Sequence, residues 1–370
     1  CSTHEGEDYF MNQKTLVVLF GGLSSEHDVS CLSAATVLRN ADREKYDVLP
    51  VGITRDGEWF LYESDNYDAV ADGSWMNTGD VVPAVLSPDR SVHGLLISRD
   101  GVVETRRVDC VFPALHGIGG EDGMMQGLLE LAHIPYVGPG VAASANSMDK
   151  SITKMIINEA GGVRQAAFYL ARRTEFHADP EGITLAAEET LRSYPVFVKP
   201  CSQGSSVGVS KATDRVSLRQ ALEEGFLYDS KVLVEEFIDG HEIEVSVIGN
   251  ENPTATVAGE IAPSREFYTY EAKYIDGSSG LYIPAHISES AMQRVREDAV
   301  RVYRALDCKG MARVDFFCTY ADDEIVFNEI NTLPGFTSIS MYPKLQEYSG
   351  TPLPQLIDKL VELAMARYDD

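Results

Sequence analysis

The run Thr15-Leu16-Val17-Val18-Leu19-Phe20 stops at Gly21-Gly22, and Ser24 to Asn40 reads as a helix directly behind it. An unbroken apolar run has no face to offer water, so this strand must be covered on both sides, the condition of a parallel sheet flanked by helices. A strand, a glycine turn and a helix in that order commit the chain to an open α/β sheet whose ligand edge lies at the C-terminal ends of the strands. Val48 to Ile53 continues the pattern as a second strand, Glu58 to Tyr62 as a short hairpin piece, and Val108 to Phe112 as a further strand, with a helix over Gly123 to Ala132. The loop from Gly117 to Gly123 approximates a dinucleotide fingerprint but carries Asp122 where its last glycine belongs, which argues against a Rossmann cofactor site. Proline and glycine crowd His133 to Gly140 and mark a boundary, after which Val141 to Ala160 reads as one helix opening the next unit.

Length and charge narrow the function classes. At 370 residues with 44% apolar content the chain can build two or three full cores, and no internal repeat or low-complexity tract interrupts it. Its 31 Lys and Arg against 57 Asp and Glu give a formal net charge of −26, which argues against sequence-independent binding to nucleic acid or anionic membranes. An anionic ligand therefore needs cations placed locally. The six cysteines are scattered, with no C-x-x-C pair, and read as thiols of a reducing cytoplasm. No segment approaches the roughly 20 apolar residues of a membrane span, and residues 1–10, polar and acidic ahead of Met11, read as an extension.

The middle of the chain carries parts suited to phosphate. Val196-Phe197-Val198-Lys199-Pro200 is a strand delivering a lysine into the loop Cys201-Ser202-Gln203-Gly204-Ser205-Ser206-Val207-Gly208. Backbone N–H groups of such loops approach phosphate oxygens closely, and flexible Gly/Ser loops close over nucleotides. The lysine precedes the loop, so this is not a Walker A motif, and taken alone the segment reads equally as a surface turn. Cys201 has no obvious base and reads as a small filler. The strand Val232 to Ile238 is of the kind whose backbone could pair with adenine, and Glu242 could reach a ribose hydroxyl.

Late in the chain, Arg313-Val314-Asp315-Phe316-Phe317 and Phe327-Asn328-Glu329-Ile330-Asn331 form a hairpin turning through Tyr320 to Asp323. Glu329 and Asn331, two apart on a strand, share a face, with Asp315 and Arg313 opposite. Carboxylates and an amide on one surface suit Mg²⁺, which keeps waters and takes phosphates as remaining ligands.

Taken together, these segments resemble an ATP-grasp enzyme and, closely, the bacterial D-alanine:D-alanine ligases, over about residues 14–366. The resemblance rests on Gly21 to Ser30 (GGLSSEHDVS), Ala114-Leu115-His116-Gly117, Gly120-Glu121-Asp122-Gly123, Met148-Asp149-Lys150, Gly204 to Gly208, Glu271-Ala272-Lys273-Tyr274 and Asn328 to Ser338, all in family order. It implies a three-domain ATP-grasp architecture: an N-terminal open α/β domain (the pre-ATP-grasp domain) over 11–138, a central subdomain with the Gly/Ser loop over 139–234, and a C-terminal subdomain with the metal and oxyanion site over 235–370. The implied reaction is ATP-dependent joining of two D-alanines through an acyl phosphate, for peptidoglycan precursor synthesis.

By the same resemblance Lys150 and Lys199 hold ATP phosphates, Lys273 bridges towards the transferred phosphoryl, backbone atoms of Glu236 and Ile238 meet adenine, Glu242 reaches ribose, and Ser205, Ser206, Glu235 and Phe237 complete the nucleotide site. Asp315, Glu329 and Asn331 hold two Mg²⁺, with Mn²⁺ as a substitute. Arg313 and the Gly335 N–H form an oxyanion site, and Ser340 holds the second substrate's carboxylate. Glu26, with Ser205 and Tyr274, receives the first substrate's ammonium, although an acid in the first turn of a helix also serves simply to complement the dipole. His116 ends a strand at the ligand edge and matches an active-site histidine, a packed and hydrogen-bonded histidine being the alternative. Tyr274 favours an amine over a hydroxy acid as second substrate. D-serine is the runner-up, since Gly52-Ile53-Thr54 and Leu86-Ser87-Pro88-Asp89 resemble D-alanine:D-serine ligases, while Ser340 to Leu345 looks like a D-alanine enzyme. The family implies a homodimer. A different class, a nucleotide-binding regulator on the same scaffold, would have lost the metal and oxyanion residues that this chain retains.

Overall fold

The computed structural model describes residues 13–262 and 280–368. The first of three sheets contains β1 (Lys14–Gly21), β2 (Tyr46–Ile53), β3 (Trp59–Tyr62), β4 (Val81–Leu86), β5 (Gly94–Arg99), β6 (Val102–Arg107) and β7 (Cys110–Pro113), in the order β6-β5-β4-β3-β2-β1-β7. β1 runs parallel to both β2 and β7 and is buried from its second residue onward, as its apolar run requires. The remaining pairings are antiparallel, which makes the sheet mixed. The turn between β5 and β6 is Asp100-Gly101, with φ of 47° and 80°. Positive φ at both central residues matches the right-handed twist of paired strands and selects an Asp-Gly pair.

The second sheet, antiparallel throughout, contains β8 (Phe168–Arg172), β9 (Val196–Pro200), β10 (Ser210–Ala212) and β11 (Lys231–Glu236), in the order β10-β9-β11-β8. Helices Pro180–Leu191 and Arg215–Tyr228 bury Ala187, Leu191, Leu218 and Leu222 against it. The third contains β12 (Gly240–Ile248), β13 (Thr254–Ala262), β14 (Gly280–Tyr282), β15 (Met311–Thr319) and β16 (Ile325–Asn331), in the order β14-β13-β12-β15-β16. Helix Glu289–Ala305 lays Val295, Ala299 and Val302 on it.

The single helix expected over Val141 to Ala160 is two, Val141–Met148 and Lys150–Ala160. Asp149 is the cause: it adopts an extended backbone, and its carboxylate accepts hydrogen bonds from the Ser151 and Ile152 N–H groups. A cap of this kind is worth about 1 kcal/mol and starts a new helix where propensity alone would have continued the old one. The first helix also begins later than expected, at His27, with Glu26 at its N-cap.

The chain's last helices return to its first sheet. Leu356, Ile357, Leu360 and Val361 of helix Leu353–Ala366 share a core with Val18, Leu38 and Phe112. Phe336 packs edge-on against Phe112 with ring centroids 5.4 Å apart. These contacts fix the segment after β16 against the ligand edge of the first sheet.

Candidate active site

Ser30, buried in helix His27–Asn40, accepts the Gly21 N–H at 2.8 Å and donates to the Ala114 carbonyl at 2.5 Å. The ends of β1 and β7 are thereby tied to the start of the helix, and Glu26 is fixed at the mouth they form. The Glu26 side chain makes no capping hydrogen bond to its own helix. Its carboxylate accepts a hydrogen bond from the Ser205 hydroxyl of the Gly/Ser loop. Glycines make the room: a Cβ at Gly117 would fall 2.7 Å, and one at Gly204 2.9 Å, from Glu26 Oε2. Ser205 and Ser206 take φ of 48° and 62°, a left-handed conformation uncommon for residues with a Cβ and found where function holds the backbone.

His116 is 6% exposed and bridges helix His27–Asn40 and the segment after β16. Its Nδ1 lies 3.0 Å from the Leu333 carbonyl, which can only accept, so the network assigns the proton to Nδ1. Nε2 then accepts a hydrogen bond from the Ser33 hydroxyl at 2.9 Å, while Ser33 Oγ accepts the Phe336 N–H at 3.1 Å. Burial pushes the imidazole pKa below its ordinary value despite the nearby Glu26. Glu121 anchors the same segment from below, accepting the Gly117 N–H at 2.7 Å and the Leu333 N–H at 3.2 Å. Burial and the charge of Glu26 raise its pKa to about 8.

The floor is the β15–β16 hairpin, whose register sets Arg313 opposite Asn331 and Asp315 opposite Glu329. Arg313 grips Asp315 with two hydrogen bonds of 2.8 and 2.7 Å, and its Nε stands 3.1 Å from Glu244 on β12. The Asn331 amide donates to Asp315 at 3.0 Å. Among the described residues no group of three or more His, Cys, Asp or Glu makes a self-sufficient metal cage. Two carboxylates and an amide fit a hard divalent cation that keeps waters and shares phosphate oxygens, since such an ion needs only part of its shell from protein.

Two lysines complete the phosphate end. Lys150 opens the helix that Asp149 caps, donates to the Gln203 carbonyl at 2.8 Å and stands 3.7 Å from Glu329. Asp149 is itself paired with Lys231. Lys199 lies 2.7 Å from Glu235 and donates to Asn328 at 3.2 Å. Burial acts to lower its pKa, but the pairing with Glu235, with Glu329 and Glu242 close by, prevails and raises it. Cys201, buried at the loop's start, has its thiol pKa pushed up to about 12 by burial, which makes it inert at neutral pH.

One cleft of about 760 Å³, its open mouth included, gathers Glu26, His116, Lys150, Ser205, Arg313, Glu329, Asn331 and Gly335. Asp315 lies behind Arg313. Ser340 lies behind Gly335, where an added Cβ would come 2.6 Å from its hydroxyl, which accepts the Thr337 N–H at 3.0 Å. Ser206 follows Ser205 in the loop. Glu235, Glu236, Phe237, Ile238 and Glu242 run from the end of β11 into β12 outside the cleft lining. Lys199 is also outside it and links Glu235 to Asn328 beside Glu329. Lys273 and Tyr274 lie outside the described residues. The sequence reading assigned no role to Ser33, Glu121 or Glu244. Glu121 stood inside a motif already singled out, and Glu244 could have been found as an acid alternating with apolar residues along a strand.

Residues 15–139 match the family model described as D-ala D-ala ligase N-terminus, and residues 157–362 match D-ala D-ala ligase C-terminus. The chain is 48% identical to a D-alanine–D-alanine ligase of Caldicellulosiruptor bescii, with 96% of each chain covered. It is 46% identical to one of Acetivibrio thermocellus, with 97% of this chain and 98% of that one covered. Among solved structures it is similar to the VanG D-Ala:D-Ser ligase of Enterococcus faecalis, with TM-score 0.86, 39% identity and coverage of 95% and 99%. It is also similar to the D-alanine–D-alanine ligase of Coxiella burnetii, with TM-score 0.82, 35% identity and 96% of each chain covered. The chain belongs to the D-alanine–D-alanine ligase family, on the ATP-grasp fold.

Proposed function

We propose that the cleft joins two molecules of D-alanine into D-alanyl-D-alanine at the expense of ATP, supplying a peptidoglycan precursor. The observation that carries this reading is the meeting, in one cleft, of the Glu26–Ser205 bridge, the Arg313 and Gly335 pair, and Glu329 and Asn331, with Asp315 bonded to Arg313 and Asn331 just outside its lining. The carboxylate of the first D-alanine attacks the γ-phosphorus of ATP and ADP leaves, giving an acyl phosphate. The amine of the second attacks the acyl carbon, loses a proton, and the tetrahedral adduct collapses with loss of phosphate.

The protein's contribution is placement and charge. Glu26 receives the ammonium of the first D-alanine and Ser205 closes the loop over it, with Tyr274 as the third member of that network. Arg313, already fixed by Asp315 and Glu244, and the Gly335 N–H, on a segment tied down by His116 and Ser33, meet the oxyanion without having to reorganise. Lys150, Lys199 and Lys273 bind phosphates, with Ser206 at the loop. The backbone of Glu235 to Ile238 meets adenine, and Glu242 binds ribose. Asp315, Glu329 and Asn331 hold two Mg²⁺, replaceable by Mn²⁺, which supply neutralising charge to the phosphates. Ser340 takes the second carboxylate. The units expected over 11–138, 139–234 and 235–370 are read as the three domains, each with one of the three sheets. A cytoplasmic homodimer is the assembly this reading carries, and the buried, unpaired cysteines fit that compartment.

ATP hydrolysis coupled to product formation tests the reading, with D-alanine, D-serine and D-lactate supplied singly and in pairs. D-alanine alone supports turnover and yields the dipeptide. A preference for D-alanine with D-serine would favour the second reading, which the similarity to a D-Ala:D-Ser ligase supports. ATP turnover independent of any D-amino acid would reject both.

A further inference from the structure

Lys154 lies one turn beyond Lys150 on helix Lys150–Ala160, is 2% exposed, and does not line the cleft. Its ammonium stands 2.9 Å from Glu235 Oε1 and 5.4 Å from the centre of the Phe168 ring. The other oxygen of Glu235, Oε2, is 2.7 Å from Lys199. Strand register explains the geometry: Leu233 of β11 is opposite Lys199 of β9, so Glu235, two residues on, is Lys199's diagonal neighbour on the same face. Glu235 also pairs with Phe168 across the other edge of β11, which brings the β8 ring under Lys154. Two ammonium groups thus share one buried carboxylate.

A buried charge needs a partner. Were Lys199 the sole counterion of Glu235, the pair would be neutral, and its ammonium would be bound to protein rather than offered to a ligand. With Lys154 on the other oxygen, the three groups carry one surplus positive charge, and among them Lys199 is the one bonded to Asn328, the chain neighbour of the cleft residue Glu329. Burial acts to raise the Glu235 pKa, yet the two lysines hold it at about 2, so the carboxylate stays ionised. We infer that Lys154 is a positioning residue for nucleotide binding: it neutralises Glu235 from outside the cleft and so keeps the Lys199 ammonium available to phosphate oxygens. This rests on the reading of Lys199 as a phosphate ligand.

The test is calorimetric binding of ADP and of adenosine to the full chain and its variants, each checked for fold by circular dichroism. Lys154→Met keeps the volume and removes the charge. ADP binding weakens about ten- to a hundredfold, the scale of one charge-assisted contact, while adenosine binding is unchanged. Lys154→Met/Glu235→Gln removes both members of the outer pair, and ADP affinity recovers by about tenfold or more over the single variant. Equal weakening for adenosine and ADP, or no recovery in the double variant, overturns the inference in favour of a packing role. Where the single variant does not fold, the double variant carries the test, because it leaves no buried carboxylate short of a cation and keeps the single surplus positive charge of the three groups on Lys199. ADP affinity about tenfold above that of Lys199→Ala supports the inference, and affinity equal to it overturns it. Lys199→Ala itself separates the two levels: if it binds ADP like wild type, the phosphate reading fails, whereas a loss there with none in Lys154→Met overturns only the role of Lys154.

Discussion

Glu26 and Ser205, 179 residues apart in the chain, are joined by a side-chain hydrogen bond that closes the Gly/Ser loop onto the first helix of the N-terminal sheet. The bond connects an element of the first sheet to a loop of the second, so the mouth of the cleft is latched before any substrate ammonium is considered. One oxygen of the carboxylate is committed to Ser205, and the other occupies room that only glycine at 117 and 204 leaves for it.

Glu26→Gln is expected to raise KM for the first D-alanine by about ten- to a hundredfold, since a neutral amide loses the charge-assisted contact. Ser205→Ala should do less to KM and should increase protease cleavage within 202–208. Steady-state kinetics with limited proteolysis checks both, and an unchanged KM in Glu26→Gln would remove this carboxylate from substrate recognition.

Glu329→Gln is expected to leave the melting temperature within a few degrees of wild type and to abolish most ligase turnover, because an amide is a poor ligand where phosphate charge must be offset. Activity titrated against Mg²⁺ is the measurement. Normal turnover at ordinary Mg²⁺ levels would reject Glu329 as a ligand.

Glu121 is expected to titrate near 8 in the folded protein, and Glu26→Gln to lower that value, since the Glu26 charge is one of its causes. Its folded pKa lies above the ordinary carboxyl value, so folding favours the protonated form. That contribution is fully present below about 4.5 and is lost as pH rises through about 8. Carbon NMR of labelled glutamate side chains reads the titration directly. A Glu121 pKa near 4.5 would contradict the geometry.

Ser33→Ala is expected to cost about 1–3 kcal/mol in denaturant unfolding, because it leaves the buried Phe336 N–H without its acceptor. The same change releases His116 Nε2. A fall in kcat with little change in the KM for ATP would mark the loosening of the Leu333 to Phe336 segment. Wild-type stability would show that water replaces the serine.

The parts of the site legible in the sequence were those fixed by short-range geometry. Glu329 and Asn331 share a face because strands alternate, and Lys199 precedes its loop because the strand ends there. What stayed hidden depends on which strands become neighbours. The Glu244 contact to Arg313 exists only because β12 lies beside β15. Lys154 looks like an ordinary polar residue on a helix until β11 and β8 are brought beneath it. Asp100-Gly101 is a different case, since its dipeptide is a direct hairpin signal and the β5–β6 pair could have been read from it. Asp149 likewise announced a cap inside a run that periodicity alone joined into one helix.

Helix Leu353–Ala366 completes the core around Val18, Leu38 and Phe112, and Arg367 donates to the Tyr136 and Gly138 carbonyls. During synthesis helix His27–Asn40 covers part of that side of the first sheet early, and the strip beside Phe112 stays open until residues 353–366 have been made. A nascent chain stalled or truncated before Leu353 would present that apolar strip to chaperones and proteases, which gives quality control a surface by which to recognise it.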